Sequence, residues 1–316
     1  MIISASRRTD IPAFYSKWMM NRLHAGYVLV PNPRNPLHFS RIALNPQSVD
    51  CIVFWTKSPA PMLSKLKEIS AMGYPFYFQF TLTPYGRDLE QNLPLKTNLI
   101  QTFQALSRTI GAERVVWRYD PVILTDRMGI EFHLQSFKTL AGMLEGYTHR
   151  CIFSFLDLYP KVTRSLRGIL VKRIQQQEIM QIAEGFSAVA QKHQMKLFTC
   201  CESDDLSRFG IAHAACIDPN IIESILGCPI RVKKDTGQRP GCGCVESIDI
   251  GSYDCCRNGC RYCYATSTPS AALKNAARHD PCSPTLLGHL PDSAIVTERK
   301  MVSIQERQMK FPSVYF

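Results

Sequence analysis

Six short, almost uninterrupted apolar runs recur in the first 200 residues, at 2–6, 51–55, 76–82, 115–119, 151–155 and 195–199. They constrain the fold more than any other feature. A strand with one solvated face alternates apolar and polar residues, whereas a run apolar throughout reads as a strand covered on both faces. Between the runs lie segments of helical period. Leu99, Phe103, Leu106 and Ile110 share one helical face, and Gly111 follows where a left-handed cap residue sits. Ile179, Ile182, Phe186 and Val189 make a second stripe, and Met62, Leu66 and Ile69 precede a stop at Gly73. Strand, helix, glycine, strand is the rhythm of βαβ units. Six of them predict an α/β fold, a TIM-like partial parallel (β/α)6 barrel over residues 1–200, in preference to an open doubly wound sheet. The chain has no Gly-x-Gly-x-x-Gly fingerprint and no Walker loop, which argues against a nucleotide-binding sheet.

Polar residues cluster where these runs end. Arg7, Arg8 and Asp10 follow the first, Lys57 the second, Arg118 and Asp120 end the fourth, Asp157 follows the fifth and Glu202 the sixth. In a parallel α/β barrel such positions gather at the C-terminal face, where active sites form. Asp and Thr after strands also serve as helix caps, but capping does not call for cations. Arg7, Asp10, Lys57, Arg118, Asp120 and Glu202 are therefore the candidate catalytic residues, and the cations among them point to a polar or anionic substrate.

Apolar residues make up 45% of the 316 and charged residues 20%, which excludes disorder and coiled coil. The net charge of +11 is compatible with a nucleic-acid partner, and equally with ordinary surface excess, because Lys and Arg are scattered rather than blocked. No apolar run approaches the roughly 18 residues of a membrane span. Thr9, Asp10 and Pro12 follow Arg7 and Arg8 where an export signal requires apolar residues. The expectation is a cytoplasmic protein with no membrane partner.

The 13 cysteines are an odd number with no secretory signal before them, so metal or redox chemistry explains them better than disulfides. They concentrate after residue 200, where glycine also becomes frequent, and residues 201–316 read as a cysteine-rich iron-sulfur region with a C-terminal extension packed on the barrel. Cys256-Arg-Asn-Gly-Cys260-Arg-Tyr-Cys263 lets one tight loop aim three thiolates at a single cluster, with Gly259 supplying the permissive backbone. Three ligands on a four-iron four-sulfur cluster leave one iron open to bind and activate something. Cys51 and Cys151 sit inside apolar runs and read as buried residues, while Cys201, Cys228, Cys255 and Cys282 have no assigned role.

This spacing, with Tyr262 immediately before the third cysteine, resembles the radical S-adenosylmethionine (SAM) superfamily. Cys260-Arg-Tyr-Cys-Tyr264, with Phe54-Trp-Thr-Lys-Ser-Pro59 and Arg118-Tyr-Asp-Pro121, is similar to the spore photoproduct lyase branch. Over nearly the whole chain, from Ile3-Ser-Ala-Ser-Arg-Arg-Thr-Asp-Ile-Pro12 through Asp249-Ile-Gly251 to Cys263-Tyr-Ala265, the sequence resembles a bacterial family of unknown function, family 1848. The superfamily resemblance implies a four-iron four-sulfur cluster on Cys256, Cys260 and Cys263, SAM on the open iron, and an electron donor such as ferredoxin or flavodoxin. Reduction would cleave SAM to methionine and a 5′-deoxyadenosyl radical. By position Tyr262 would lie beside the adenine, and Arg239, in the cationic segment 233–239, could hold a carboxylate of SAM or substrate. The superfamily's cysteine loop follows its first strand, whereas this one follows all six. Either the barrel is circularly permuted or the loop sits on a different TIM-like scaffold. Within the family resemblance Cys200, Cys216, Cys242 and Cys244 form a recurring set, open to three readings: a second iron-sulfur cluster, a tetrahedral zinc site, or reduced unligated thiols. Two other functions stay in view, an iron-sulfur electron carrier without SAM chemistry and a zinc-stabilised basic protein that binds nucleic acid.

Overall fold

The computed structural model describes residues 1–239 and 241–306, the side chain of Pro36 excepted; residues 307–316 of the expected C-terminal extension lie outside them. Its strands, in chain order, are β1 (Ile2–Ala5), β2 (Tyr27–Asn32), β3 (Asn35–Ala43), β4 (Cys51–Thr56), β5 (Phe76–Thr81), β6 (Val115–Val122), β7 (Arg150–Phe155), β8 (Lys196–Thr199), β9 (Ala212–His213), β10 (Ile248–Asp249) and β11 (Ile295–Glu298). The six apolar runs are β1, β4, β5, β6, β7 and β8. They lie side by side in sequence order at the centre of an eight-stranded sheet, β10-β1-β4-β5-β6-β7-β8-β9. Every neighbouring pair in it is parallel.

Alternation along each strand explains why the runs are apolar throughout. Ile3, Ile52, Phe54, Phe76, Phe78 and Phe153 turn to one face and join the main core. Ile2, Cys51, Val53, Tyr77, Val116 and Ile152 turn to the other and pack with Ile217, Ile221, Ile222 and Val245. The first face is covered by long helices, Lys96–Ile110, Ile130–Leu144 and Gln176–Lys192, of which the first and third carry predicted stripes; Met62, Leu66 and Ile69 fall on two short helices, Ala60–Leu63 and Leu66–Ala71. Phe137 lies between two other rings there, stacked at 4.9 Å on Trp117 and 4.0 Å on Phe186. The second face is covered by the segment around the upstream cysteines instead of by helical crossovers.

The α/β class and the parallel sheet agree with the sequence reading, but no barrel closes. The two-residue strands β10 and β9 occupy the edges and do not pair with each other. The physical reason is that the segment following β8 folds back across the inner face, filling the space that further βα units would have to enclose. A second sheet, β11-β3-β2, was not legible: β2 and β3 form an antiparallel hairpin, and β11 from the C-terminal extension pairs in parallel with β3. Among the described residues no helix is long and apolar enough to cross a membrane.

Candidate functional site

The C-terminal ends of the central strands open onto a cavity of about 730 Å³. Arg7 enters it after β1, Lys57 after β4, Arg118 and Asp120 from β6, and Ser154 from β7. Both cysteine groups line it too: Cys256, Cys260 and Cys263 from the 256–263 loop, and Cys200, Cys216, Cys242 and Cys244 from the segment after β8. The strand-end residues and the cysteines, read separately from the sequence, thus share one space.

The 256–263 loop is fixed by bonds to distant segments. It follows β10, whose Asp249 accepts from Ser4 Oγ at 3.0 Å, Ser6 Oγ at 2.5 Å, the Arg7 amide at 2.8 Å and the Gly251 amide at 3.0 Å. Gly259 has φ +68°, and a Cβ there would stand 2.9 Å from Asn92 Nδ2, so the turn requires glycine on both counts. The Asn92 amide donates to the Asn258 carbonyl at 3.1 Å, and the Arg261 amide to the Leu89 carbonyl at 2.9 Å. Asn258 is buried and donates through Nδ2 to Asp10 at 3.0 Å. Asp10 also accepts the Lys57 amide at 2.8 Å and the Ala13 amide at 3.0 Å. Burial pushes its carboxyl above the usual range, opposed by these donors.

Under Cys260 lies a buried charge network. Glu90 accepts from Lys57 Nζ at 2.8 Å and Thr83 Oγ1 at 2.7 Å, and also from Lys96 and the Tyr262 hydroxyl. Lys57 Nζ donates to the same Tyr262 hydroxyl at 2.8 Å. Burial alone would raise the Glu90 carboxyl, but the two lysines win and hold it at about 2. Burial raises the thiols of Cys256 and Cys260. Binding of a metal would reverse that, because coordination releases the thiol proton.

In the second group the sulfurs of Cys200 and Cys216 stand 3.1 Å apart, and Cys244 Sγ accepts from the Ile217 amide at 3.4 Å. Arg118 Nη1 donates to Cys216 Sγ at 2.8 Å, and the charge of Arg7 faces Cys244 and Cys216. The bond to Cys216 brings Cys200 down to about 7, and the neighbouring Cys216 and Cys242 thiols hold the Cys244 thiol far below its ordinary value. Among the described residues no three His, Cys, Asp or Glu side chains form a site for a single metal ion. A polynuclear cluster asks for something different, thiolates spread around a space, and a cavity ringed by cysteines offers that.

A family model described as a domain of unknown function, DUF1848, matches residues 2–265. The chain belongs to the DUF1848 family. No curated protein matches it. The DUF1848 span takes in the whole parallel sheet and both cysteine groups, ending two residues beyond Cys263.

Of the residues expected at the site in this DUF1848 chain, Arg7, Asp10, Lys57, Arg118, Asp120, Arg239 and Tyr262 line the cavity with the cysteines. Asp120 is paired with Arg118, which holds its carboxyl low against the burial that would raise it. Arg239 forms an exposed ion pair with Asp157. Glu202 is not among the lining residues; it accepts the Phe155 amide at 2.8 Å, and burial raises its carboxyl to about 7. Sequence reasoning missed Glu90, Asn258, Asp249 and Trp55. Trp55 ends an apolar run and looked like core, yet its ring lies beneath the guanidinium groups of both Arg7, at 5.2 Å, and Arg118, at 5.4 Å.

Proposed function

We propose that this protein is a radical SAM-type iron-sulfur enzyme acting on a polar or anionic substrate. The observation that carries the reading is the 256–263 loop itself. Three thiols on one glycine-dependent turn line a cavity at the C-terminal ends of parallel strands, and the cavity is large enough for a cluster together with a nucleoside-sized ligand. The position of β10 supports the reading despite the late place of the loop in the chain. The strand leading into the loop pairs with β1 at the sheet edge, so in spatial order the cysteine loop follows the first strand although in sequence it comes last. That supports a circularly permuted partial barrel.

When bound, a cluster with one open iron would supply one-electron reductive cleavage of SAM, given an electron from a donor such as ferredoxin or flavodoxin. Cys256, Cys260 and Cys263 would hold three irons. Lys57, kept charged and fixed by Glu90, places a cation beside Cys260, which favours the reduced state of an anionic centre. Tyr262 is locked by Glu90 with its ring in the cavity wall, where it can limit water and flank a base. Arg239 and Asp157 stand exposed at the rim, where their pair can exchange for a substrate carboxylate.

Anaerobic reconstitution with iron and sulfide, then dithionite and SAM, tests the proposal. The expected product is 5′-deoxyadenosine. An intact, reducible cluster that yields none, and whose spectrum ignores added SAM, would replace this reading with that of an electron carrier.

A further inference from the structure

The cysteines of the segment after β8 raise a separate question of charge. Arg7 and Arg118 are guanidinium groups, charged at any physiological pH, and the Arg118 side chain is only 6% exposed. Arg118 has Asp120 as a partner, whereas the nearest carboxylate to Arg7 in an ion pair is Asp235 at 3.9 Å. The Nη2 of Arg7 is buried with no hydrogen-bond partner among the described residues. Arg118 instead turns a donor to Cys216 Sγ, and the charge of Arg7 faces Cys244 and Cys216. Neutral thiols are weak acceptors and offset little of the cost of burying cations; thiolates offset much more. Four adjacent thiolates would repel one another unless a cation sat among them. A cluster core of charge 2+ bound by four thiolates carries a net charge of about −2, which two arginines match.

The backbone is shaped for the same end. Gly243 separates Cys242 from Cys244, and a Cβ on it would meet the Ala214 carbonyl oxygen at 3.1 Å, so its lack of a side chain lets the pair pack against the strand end that carries Cys216. The Ile217 amide donates to Cys244 Sγ at 3.4 Å, a bond suited to a thiolate. Cys51 and Cys151 show the contrast: both are fully buried within strands, and no arginine is hydrogen-bonded to either sulfur among the described residues.

We propose that Cys200, Cys216, Cys242 and Cys244 form a second metal centre, a four-thiolate site for an iron-sulfur cluster, with Arg7 and Arg118 as its counter-charges and not as substrate ligands. Loading forms four sulfur–metal bonds and releases to solvent whatever protons the four thiols still hold, with no net electron transfer. The centre is independent of the 256–263 loop, so it stands or falls apart from the SAM reading.

The test uses the full-length chain carrying Cys256→Ala, Cys260→Ala and Cys263→Ala, purified anaerobically, with iron, zinc and acid-labile sulfide measured by mass spectrometry and colorimetry. Retention of about four irons with acid-labile sulfide and a visible charge-transfer band supports the proposal, and zinc alone in colourless protein overturns it. A metal-free folded chain overturns it. Adding Cys216→Ser and Cys244→Ser should lower the metal to background; retention would place it elsewhere. Arg118→Gln in the same triple background should speed metal loss to a chelator by about tenfold, the usual scale for an outer partner of a metal ligand. An unchanged rate, with circular dichroism confirming the fold, would refute the counter-charge role.

Discussion

Replacing Glu90 by Gln tests whether the ground beneath Cys260 is electrostatic. The carboxylate is 2% exposed and faces two ammonium groups, Lys57 at 2.8 Å and Lys96. Its carboxyl is held at about 2 against an ordinary 4.5, which corresponds to about 3 kcal/mol of folding stability. The cost of removing one partner from a buried pair, about 3–5 kcal/mol, has the same size. Because the folded value is depressed, this contribution is complete above pH 4.5 and is lost as pH falls toward about 2. Urea unfolding of the metal-free chain, followed by tryptophan fluorescence, should therefore give a Glu90→Gln variant about 3 kcal/mol less stable at pH 7. The gap to wild type should narrow across that acidic window. A loss below about 1 kcal/mol at unchanged m-value, or a gap that does not depend on pH, would refute the idea that the network is a net stabiliser.

Three further outcomes follow from the same geometry. Phe137→Ala removes the middle ring of the Trp117–Phe137–Phe186 stack and should cost about 3–5 kcal/mol in the same unfolding assay. Burial lowers His133 from an ordinary 6.5 to about 4, so the neutral ring is favoured in the fold, and stability should decline as pH drops through that interval; His133→Gln should flatten the decline. Cys260→Ala should abolish the main cluster and SAM cleavage while far-ultraviolet circular dichroism stays near wild type, and a variant that still cleaves SAM would show that the loop is the wrong one.

The central sheet was legible because burial on both faces writes itself into a strand as unbroken apolarity; Phe76–Thr81 needs no partner to be recognised. The hairpin was not. Its strands Tyr27–Asn32 and Asn35–Ala43 mix Pro, Asn and Arg with their apolar residues and leave much of their surface in water. Strands of two residues, β9 and β10, are too short for any period to register, although β10 decides where the cysteine loop lies. At the site the cysteines announced themselves by spacing. Glu90 and Asp249 did not, because the partners that tie them into the site, Lys57 and Tyr262 for Glu90 and Ser6 for Asp249, stand far off in sequence and only the fold brings them together. Arg7 and Arg118 were found by their place at strand ends, and nothing in the sequence reveals that the Arg118 guanidinium meets the sulfur of Cys216.

The sheet's inner face has a bearing on how the chain is made. Residues 1–200 contain every strand of the central six, yet the apolar side chains of Val53, Tyr77 and Val116 are capped by Ile217, Ile222 and Val245, which leave the ribosome later. A growing chain paused near residue 200 would carry a paired sheet with one bare greasy side, a natural target for a holding chaperone. The segment that relieves this exposure is also the one that delivers the upstream cysteines, and the cluster loop emerges only after it. Concealment of the apolar surface thus precedes completion of the cysteine-lined wall, and whatever fills the cavity would meet a frame already standing.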